Sequence, residues 1–254
     1  MNIILGGALG RMGQEVIQAA AAAKIDIVYG VDVAYSGGPS AIPMVSHYEQ
    51  LPLSADVLID FSKPEGLLAL LDFCRKKNLS CVLCATGYTE AELQSIDAAA
   101  KHIAILRSAN MSLGINVMEQ LTAIAAKALG ESYDIEIVEK HHRMKSDSPS
   151  GTALMLYEAA KSSAKTAAKP VFGRYGRTEK RECGDIGLHA LRGGSVTGEH
   201  EVGFYGDGEQ VILTHRAENR TLFAQGAIRA ARFLAGKPAG LYSMRDVVLD
   251  MLAP

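Results

Sequence analysis

Asn2-Ile3-Ile4-Leu5-Gly6-Gly7-Ala8-Leu9-Gly10-Arg11-Met12-Gly13 is the stretch whose reading decides the fold. Residues 2–5 read as an apolar strand. A glycine-rich turn follows at once, and Gln14 to Ala23 then reads as a helix with Val16, Ile17 and Ala20 on one face. Strand, glycine turn and helix in succession are the setting that a dinucleotide-binding turn needs. Glycines there let the backbone approach a pyrophosphate, and Gly13 allows close packing of helix on strand. The spacing is Gly7-x-x-Gly10-x-x-Gly13, and a plain tight turn also fits these glycines taken alone.

The next strand adds a second feature in register. Ile25 to Val31 is apolar and ends at Asp32. Asp32 follows Gly13 by roughly the 20 positions at which an acidic residue bonds the ribose hydroxyls of a dinucleotide. Val33, Ala34, Tyr35 and Ser36 come next, so no adjacent cation is ready to neutralise a 2′-phosphate. A loop carboxylate at a strand end is the plainer alternative for Asp32.

Further strands alternate with helices. Residues 34–50 read as loop, with Gly37-Gly38-Pro39. Val57 to Phe61 is a short buried-type strand. A helix is expected from Ser62 to about Lys77, with Ser62 as its cap and Glu65 at the third helical position. Cys81 to Cys84 is another strand, Thr89 or Glu90 opens a helix to about Ala100, and Ile103 to Leu106 is a strand. This alternation implies βαβ units and a parallel sheet, whose ligands bind at the carboxyl ends of the strands. Gly7 to Met12, Asp32, Phe61, Ala85 to Gly87 and Ser108 to Asn110 lie at such ends.

The 254 residues, 48% of them hydrophobic, suffice for one large or two modest domains with a substantial core. A formal net charge of −2 gives no electrostatic case for nucleic acid. No apolar run approaches the ~18 residues of a membrane span. The chain starts directly on a strand, with no secretory signal pattern, so a cytoplasmic setting with reduced cysteines is expected. Cys81 and Cys84 have the spacing of a metal knuckle, but side chains three apart on a strand point to opposite faces. A zinc site also needs two more ligands. Buried strand cysteines are the better reading, and no metal is expected.

The richest chemistry lies in Glu139-Lys-His-His-Arg-Met-Lys-Ser-Asp-Ser-Pro-Ser-Gly-Thr152. A strand-like run with Ile135, Ile137 and Val138 leads in, and an Ala- and Leu-rich helical run leads out. Between them His141, His142, Arg143 and Lys145 precede a Ser-Gly-Thr helix start. Helix N-termini present unpaired N–H groups and a partial positive charge, which suit a carboxylate or phosphate. The stretch therefore reads as an anion site that can move a proton. A solvated basic strand end with an ordinary capped turn is the bland alternative.

Ile115 to Ala128 reads as an amphipathic helix closed by Gly130, and Asp134 to Lys140 as the strand before the central stretch. The following helix is expected from Thr152 to about Thr166. Residues 167–184 are polar and read as a solvated loop whose arginines can assist anion binding. Gly187–Leu191, Val196–Tyr205 and Gln210–Thr214 are strand candidates of a mixed or antiparallel sheet, with a hairpin at Gly206-Asp207-Gly208. Val196, Val202 and Phe204 are expected on an outer face buried against other subunits. Helices Leu222–Leu234 and Met244–Leu252 return to the alternating pattern, so the C-terminus is expected to pack on the first domain. The fold class is α/β, a Rossmann-type parallel-sheet domain plus an α+β domain with a mostly antiparallel or mixed sheet. Residues 1–112 and 222–254 are expected to bind the dinucleotide. Residues 113–221 are expected to bind substrate and to carry oligomerisation.

The sequence resembles the dihydrodipicolinate reductase (4-hydroxy-tetrahydrodipicolinate reductase) family over essentially its whole length. Its most specific part, residues 139–153, is similar to the family signature Glu-x-His-His-x-x-Lys-x-Asp-x-Pro-Ser-Gly-Thr-Ala. Gly10-Arg11-Met12-Gly13, Asp60-Phe61-Ser62, Ser108-Ala109-Asn110, Arg192-Gly193-Gly194 and Gly198-Glu199-His200 match further family segments. The resemblance implies reduction of a cyclic imine diacid by NADH or NADPH in lysine and diaminopimelate biosynthesis. By position it makes His141 and Lys145 the acid–base pair, His142 a substrate contact, and Gly151 and Thr152 the contacts to a substrate carboxylate. It makes Gly7, Ala8, Leu9, Gly10, Arg11, Met12, Asp32, Cys84, Ala85, Thr86, Ser108, Ala109, Asn110 and Met111 the cofactor-contact positions. It also implies a homotetramer. The chain departs from the pattern at Cys84, where the family often has glycine, and after Asp32, where some relatives carry a basic residue. The competing readings are a dehydrogenase for another small dicarboxylate or amino-aldehyde, and a nucleotide-sensing module without turnover.

Overall fold

The first strand, β1 (Asn2–Gly6), carries Ile3, Ile4 and Leu5, all fully buried. Consecutive apolar residues are what a sheet covered on both faces demands. After it come α1 (Arg11–Ala22), β2 (Asp26–Val31), β3 (Met44–Val45), β4 (Val57–Asp60), α2 (Leu67–Lys77), β5 (Ser80–Leu83), α3 (Glu90–Ala100) and β6 (Ala104–Arg107). The chain continues with α4 (Leu113–Leu129), β7 (Asp134–His141), α5 (Gly151–Ser163), β8 (Lys169–Phe172), β9 (Asp185–Arg192), β10 (Gly198–Gly206) and β11 (Glu209–Ala217). It ends with α6 (Thr221–Leu234), β12 (Gly240–Tyr242) and α7 (Met244–Leu252). The structure, a computed structural model, describes residues 1–52, 55–163, 168–177 and 180–252. The chain divides into two compact units, Met1–Leu113 with the segment from Arg220, and Gly114–Asn219.

The first unit is built on a seven-stranded parallel sheet ordered β12-β6-β5-β4-β1-β2-β3. The order reverses at β1, which pairs with β2 on one side and β4 on the other. The carboxyl ends of β1 and its neighbours at such a switch point are where a doubly wound sheet binds its ligand. On one face Ile3, Leu5, Ile59, Val82 and Leu106 pack with α1, α6 and α7. On the other, Ile4, Leu58, Leu83 and Ile105 pack with α2 and α3.

The second unit holds a mixed five-stranded sheet ordered β11-β10-β7-β9-β8. β10 runs antiparallel to both β7 and β11, whereas β7, β9 and β8 are mutually parallel. Ile135 and Ile137 of β7, Ile186 and Leu188 of β9, and Val202 and Phe204 of β10 share one face. They form a core with Ile115 and Met118 of α4 and Leu156, Tyr157 and Ala160 of α5.

Several local expectations need correction. Ser62 does not cap α2: a 3-10 turn at Pro64–Gly66, with Lys63 at the turn's capping position, precedes that helix, Gly66 stands at the capping position of α2, and no side chain caps either. Proline accounts for this, since it fixes the first turn before the regular helix begins. The expected loop at 34–50 contains β3, an edge strand parallel to β2. Val202 and Phe204 do not form an outer face. Both are fully buried beneath the helices, and Val196 lies in the loop before β10. The polar segment 167–184 contains β8, and two of its arginines, Arg174 and Arg181, are engaged. Arg174 pairs with Glu136 at 2.7 Å, and Arg181 pairs with Asp134 at 2.7 Å and with Glu136. They therefore serve the second sheet rather than an anion. The expected end of α5 near Thr166 lies outside the described residues.

Candidate active site

In the first unit the turn after β1 makes a cradle. Gly7 has φ +71, and a Cβ there would lie 2.8 Å from the backbone of Phe61 and Ser62. Gly13 lets α1 sit on this turn, because a Cβ would come 2.6 Å from the Ala8 carbonyl oxygen and closer still to that of Gly7. At the start of α1, Gly10 has no capping side chain and the first turn carries no acidic residue. Its amides thus offer donors and positive potential to an anion. Asp32, just past β2, accepts from Leu9 N at 2.9 Å and Ala34 N at 3.0 Å. Its carboxylate is therefore fixed at the rim of the turn.

The other expected contacts at strand ends vary in character. Ala8 and Met111 are buried in the core, so their side chains pack rather than point to solvent. Leu9 and Arg11 are exposed. Cys84 is half-buried with Sγ 3.9 Å from the Val82 carbonyl, and burial pushes its thiol well above the ordinary range. Ala85 and Thr86 follow it in an open loop. Ser108 Oγ donates to the Asn110 carbonyl at 2.9 Å and accepts from Asn110 N at 3.3 Å, which fixes the bend after β6. Cradle, uncapped helix start and acidic rim together fit the two phosphates and the ribose of a dinucleotide.

In the second unit β7 supplies the centre of the site. Residues two apart on a strand share a face, so Glu139 and His141 continue the buried row begun by Ile135 and Ile137. The Glu139 side chain is 1% exposed, and an ion so placed must be paired. Its Oε2 accepts from His141 Nδ1 at 2.5 Å and from Arg192 Nη1 at 2.8 Å. Its Oε1 accepts from Arg192 Nη2 at 2.8 Å and from the Ser150 amide at 3.1 Å. Ser150 Oγ accepts from Ala153 N at 3.2 Å, capping α5, and lies 3.1 Å from His200 Nε2. The His141 and His200 rings meet edge to face, with centroids 5.1 Å apart.

The charges follow from this geometry. Burial pushes Glu139 up, but bonds from Arg192, His141 and the Ser150 amide outweigh it, and its carboxyl lies below the ordinary range. Burial pushes His141 below the ordinary imidazole range; Lys145 and Arg192 push the same way and Glu139 opposes them. Burial takes His200 down to about 4, with help from His141. Both rings are thus neutral near pH 7. With Nδ1–H given to Glu139, His141 keeps Nε2 as its proton-accepting nitrogen.

Past β7 the chain turns sharply. Lys145 N donates to the His142 carbonyl at 3.1 Å, and the Lys145 ammonium lies 2.8 Å from Asp147 Oδ1. His142 is half-buried, Gly151 is exposed and Thr152 half-buried in the first turn of α5. That turn carries no acidic residue. The arrangement brings together an ammonium, a neutral imidazole and a helix N-terminus. It can bind a carboxylate and transfer a proton.

Glu139, Ser150, Arg192 and His200 complete this cluster without standing among the expected site residues. The strand alternation carried one usable signal, a carboxylate on an otherwise apolar face. Among the described residues no group of three or more His, Cys, Asp or Glu could hold a metal, and no helix is long and apolar enough to cross a membrane.

Comparison with known proteins gives a consistent result. The family model described as dihydrodipicolinate reductase, N-terminus, matches residues 1–111, and that described as dihydrodipicolinate reductase, C-terminus, matches residues 114–248. A 4-hydroxy-tetrahydrodipicolinate reductase of Caldanaerobacter subterraneus subsp. tengcongensis is 44% identical, covering 98% of both chains. One of Clostridium novyi is 43% identical over 97% of this chain and 98% of its own. Among solved structures, a dipicolinate-bound dihydrodipicolinate reductase from Paenisporosarcina sp. TG-14 has the same fold. Its TM-score is 0.79 at 22% identity, over 96% of this chain and 97% of that one.

Proposed function

The chain belongs to the dihydrodipicolinate reductase family, and we infer that it reduces 4-hydroxy-tetrahydrodipicolinate to tetrahydrodipicolinate with NADH or NADPH. It is an NAD(P)H-dependent oxidoreductase of lysine and diaminopimelate biosynthesis. One observation carries the assignment of residues. The Glu139 carboxylate bonds both His141 and the Ser150 amide, so the proton-transfer histidine and the start of α5 are held by a single group.

The cofactor, when bound, supplies a hydride to the substrate's conjugated imine. Gly7, Gly10, Arg11 and Met12 with Ala8 and Leu9 would hold its phosphates, and Asp32 its ribose. Cys84 to Thr86 and Ser108 to Met111 would line the remainder at the strand ends. The substrate is a dicarboxylate. His142 and the amides of Gly151 and Thr152 would bind one carboxylate, where the positive end of α5 favours an anion.

Hydride addition leaves negative charge on the substrate, which a nearby acid must neutralise. Lys145 Nζ is the donor in this reading. His141, neutral with Nε2 free to accept, orients the ammonium or relays the proton. A homotetramer in the cytoplasm completes the proposal. Leu191 and Ile212, 50% and 43% exposed on the sheet face away from the helices, support assembly there.

A coupled assay tests the function. Pyruvate and aspartate semialdehyde with the preceding synthase generate the unstable substrate in place, and loss of reduced-nicotinamide absorbance is followed. Oxidation that depends on the synthase is expected. Cofactor binding without such oxidation would move the chain to another dehydrogenase or to a sensor.

A further inference from the structure

We propose that Glu139 and Arg192 act as the positioning pair of this site, setting which nitrogen of His141 carries the proton and anchoring the Ser150 amide at the start of α5. Neither residue touches the reacting atoms in this account. They act through His141 and Ser150, and the inference rests on the assignment of His141 as a proton-transfer group.

The geometry is specific. Arg192 meets Glu139 with both terminal nitrogens, each at 2.8 Å, and the carboxylate is 1% exposed. A two-pronged guanidinium matches a carboxylate in a way that an ammonium cannot. Arg192 Nη2 also donates to the Asp147 carbonyl at 2.6 Å, and Nη1 to the Leu191 carbonyl at 2.8 Å. The guanidinium is thus fixed at the end of β9 and grips the turn that carries Lys145. All four bonds to the Glu139 oxygens come from three different places, β7, β9 and the α5 start.

The chemical consequence follows from what a carboxylate can do. An ionised carboxylate only accepts, so the nitrogen facing it must be Nδ1–H. The proton-accepting nitrogen of His141 is therefore Nε2, beside Gly198, where a Cβ would come within 3.1 Å of it. A carboxamide at position 139 would present a donor as well as an acceptor, and His141 could then turn its bare Nδ1 toward it. Outside a buried hydrogen-bonded array such a swap would be minor. Here it removes the lone pair from the only nitrogen turned away from Glu139. The charged and titratable groups around His141 are Glu139, Lys145, Arg192 and His200, so a change at 139 also moves the balance that sets its titration.

Three measurements test the pair on the full-length protein. The first leaves Glu139 and Arg192 unaltered: nitrogen-15 NMR of histidine-labelled protein at pH 7.5 reads the tautomer of His141, assigned by its loss in His141→Gln. An Nδ1–H signature is expected, and an Nε2–H signature overturns the proposal whether or not the chain reduces any substrate. The second is Glu139→Gln. We expect kcat to fall by about 10²–10⁴-fold, the range that general acid–base catalysis contributes and whose upper end is reached when an orienting carboxylate of a histidine becomes an amide. Cofactor Kd should stay within twofold, and the acid limb of the kcat/KM profile should shift to lower pH. Unchanged kcat and an unchanged limb overturn the proposal. The third, Arg192→Lys, keeps the charge and loses the fork. An intermediate kcat loss of about tenfold is expected, with a larger loss in Arg192→Met. A kcat in Arg192→Lys within twofold of the parent, with the loss confined to Arg192→Met, would leave only a charge effect and overturn the fork argument. Absence of synthase-dependent oxidation in the unaltered protein would instead strike the function, and the tautomer result would still stand.

Discussion

The Lys145 ammonium lies 2.8 Å from Asp147 Oδ1, two residues further along the same turn. The lysine side chain is 21% exposed and the aspartate 57%. The proposed proton donor is thus held by a carboxylate that water largely screens. Lys145 in turn holds the Asp147 carboxyl below its usual range. Such a pair is worth about 0–1 kcal/mol, which corresponds to at most about a fivefold effect. Asp147→Asn should therefore lower substrate KM by about two- to fivefold and leave kcat within twofold, since an anionic substrate no longer competes for the ammonium. A kcat loss beyond tenfold in steady-state assays would place Asp147 in the proton transfer itself.

His200 makes stability depend on pH. Its folded value of about 4 lies below the ordinary imidazole value of 6.5. Between those values the unfolded chain binds a proton that the folded chain refuses, so stability falls as pH drops from 6.5 to 4 and levels off below. The shift is worth on the order of 3 kcal/mol at this buried site. Urea unfolding at pH 7, 5.5 and 4.5 should show that slope, and His200→Gln should flatten it. His141 and His215, also held low by burial, leave a residual slope in the same direction. A variant with the parent's full slope would remove His200 from the account.

Cofactor choice follows from Asp32. Its carboxylate is fixed by the Leu9 and Ala34 amides, and Val33 follows it without a cation. A 2′-phosphate would meet that charge, with exposed Arg11 at the start of α1 as the cation that the glycine turn itself offers. NADH should be used at least as well as NADPH, and Asp32→Ser should move the ratio toward NADPH. A tenfold preference for NADPH in kcat/KM, about 1.4 kcal/mol, would contradict this.

Gly13 tests the cradle. Any Cβ there runs into the Ala8 and Gly7 carbonyls, which are backbone and cannot swing away. Gly13→Ala should cost about 1–3 kcal/mol, as overpacking does, and weaken cofactor binding, because α1 must lift from the turn. Calorimetry and a cofactor titration read both. Unchanged Tm and Kd would show that helix and turn are loosely joined.

Much of this was legible along the chain because the signals were local. Continuous apolar runs such as Val57 to Ile59 declare a covered parallel sheet, and Thr89 with Glu92 forms the capping box that starts α3. His141, Lys145 and the Ser150–Thr152 helix start stand within one short stretch. What stayed hidden depends on distant partners. Glu139 finds Arg192 53 residues away, a pairing that no local pattern announces. Strand alternation marks Val202 and Phe204 as one face, but says nothing of whether a helix or another subunit covers it. The polar composition of residues 167–184 suggested solvent, whereas ion pairs to Glu136 and Asp134 bind the segment to the sheet.

The central claim is that Lys145 supplies the proton while the cofactor is held elsewhere, by the glycine turn. Lys145→Ala tests it most directly, with kcat measured in the synthase-coupled assay and cofactor Kd by titration on the same preparation. Loss of a general acid should lower kcat by about 10²–10⁴-fold with cofactor Kd unchanged. A matching loss of cofactor affinity, or a kcat within threefold of the parent, would contradict the assignment.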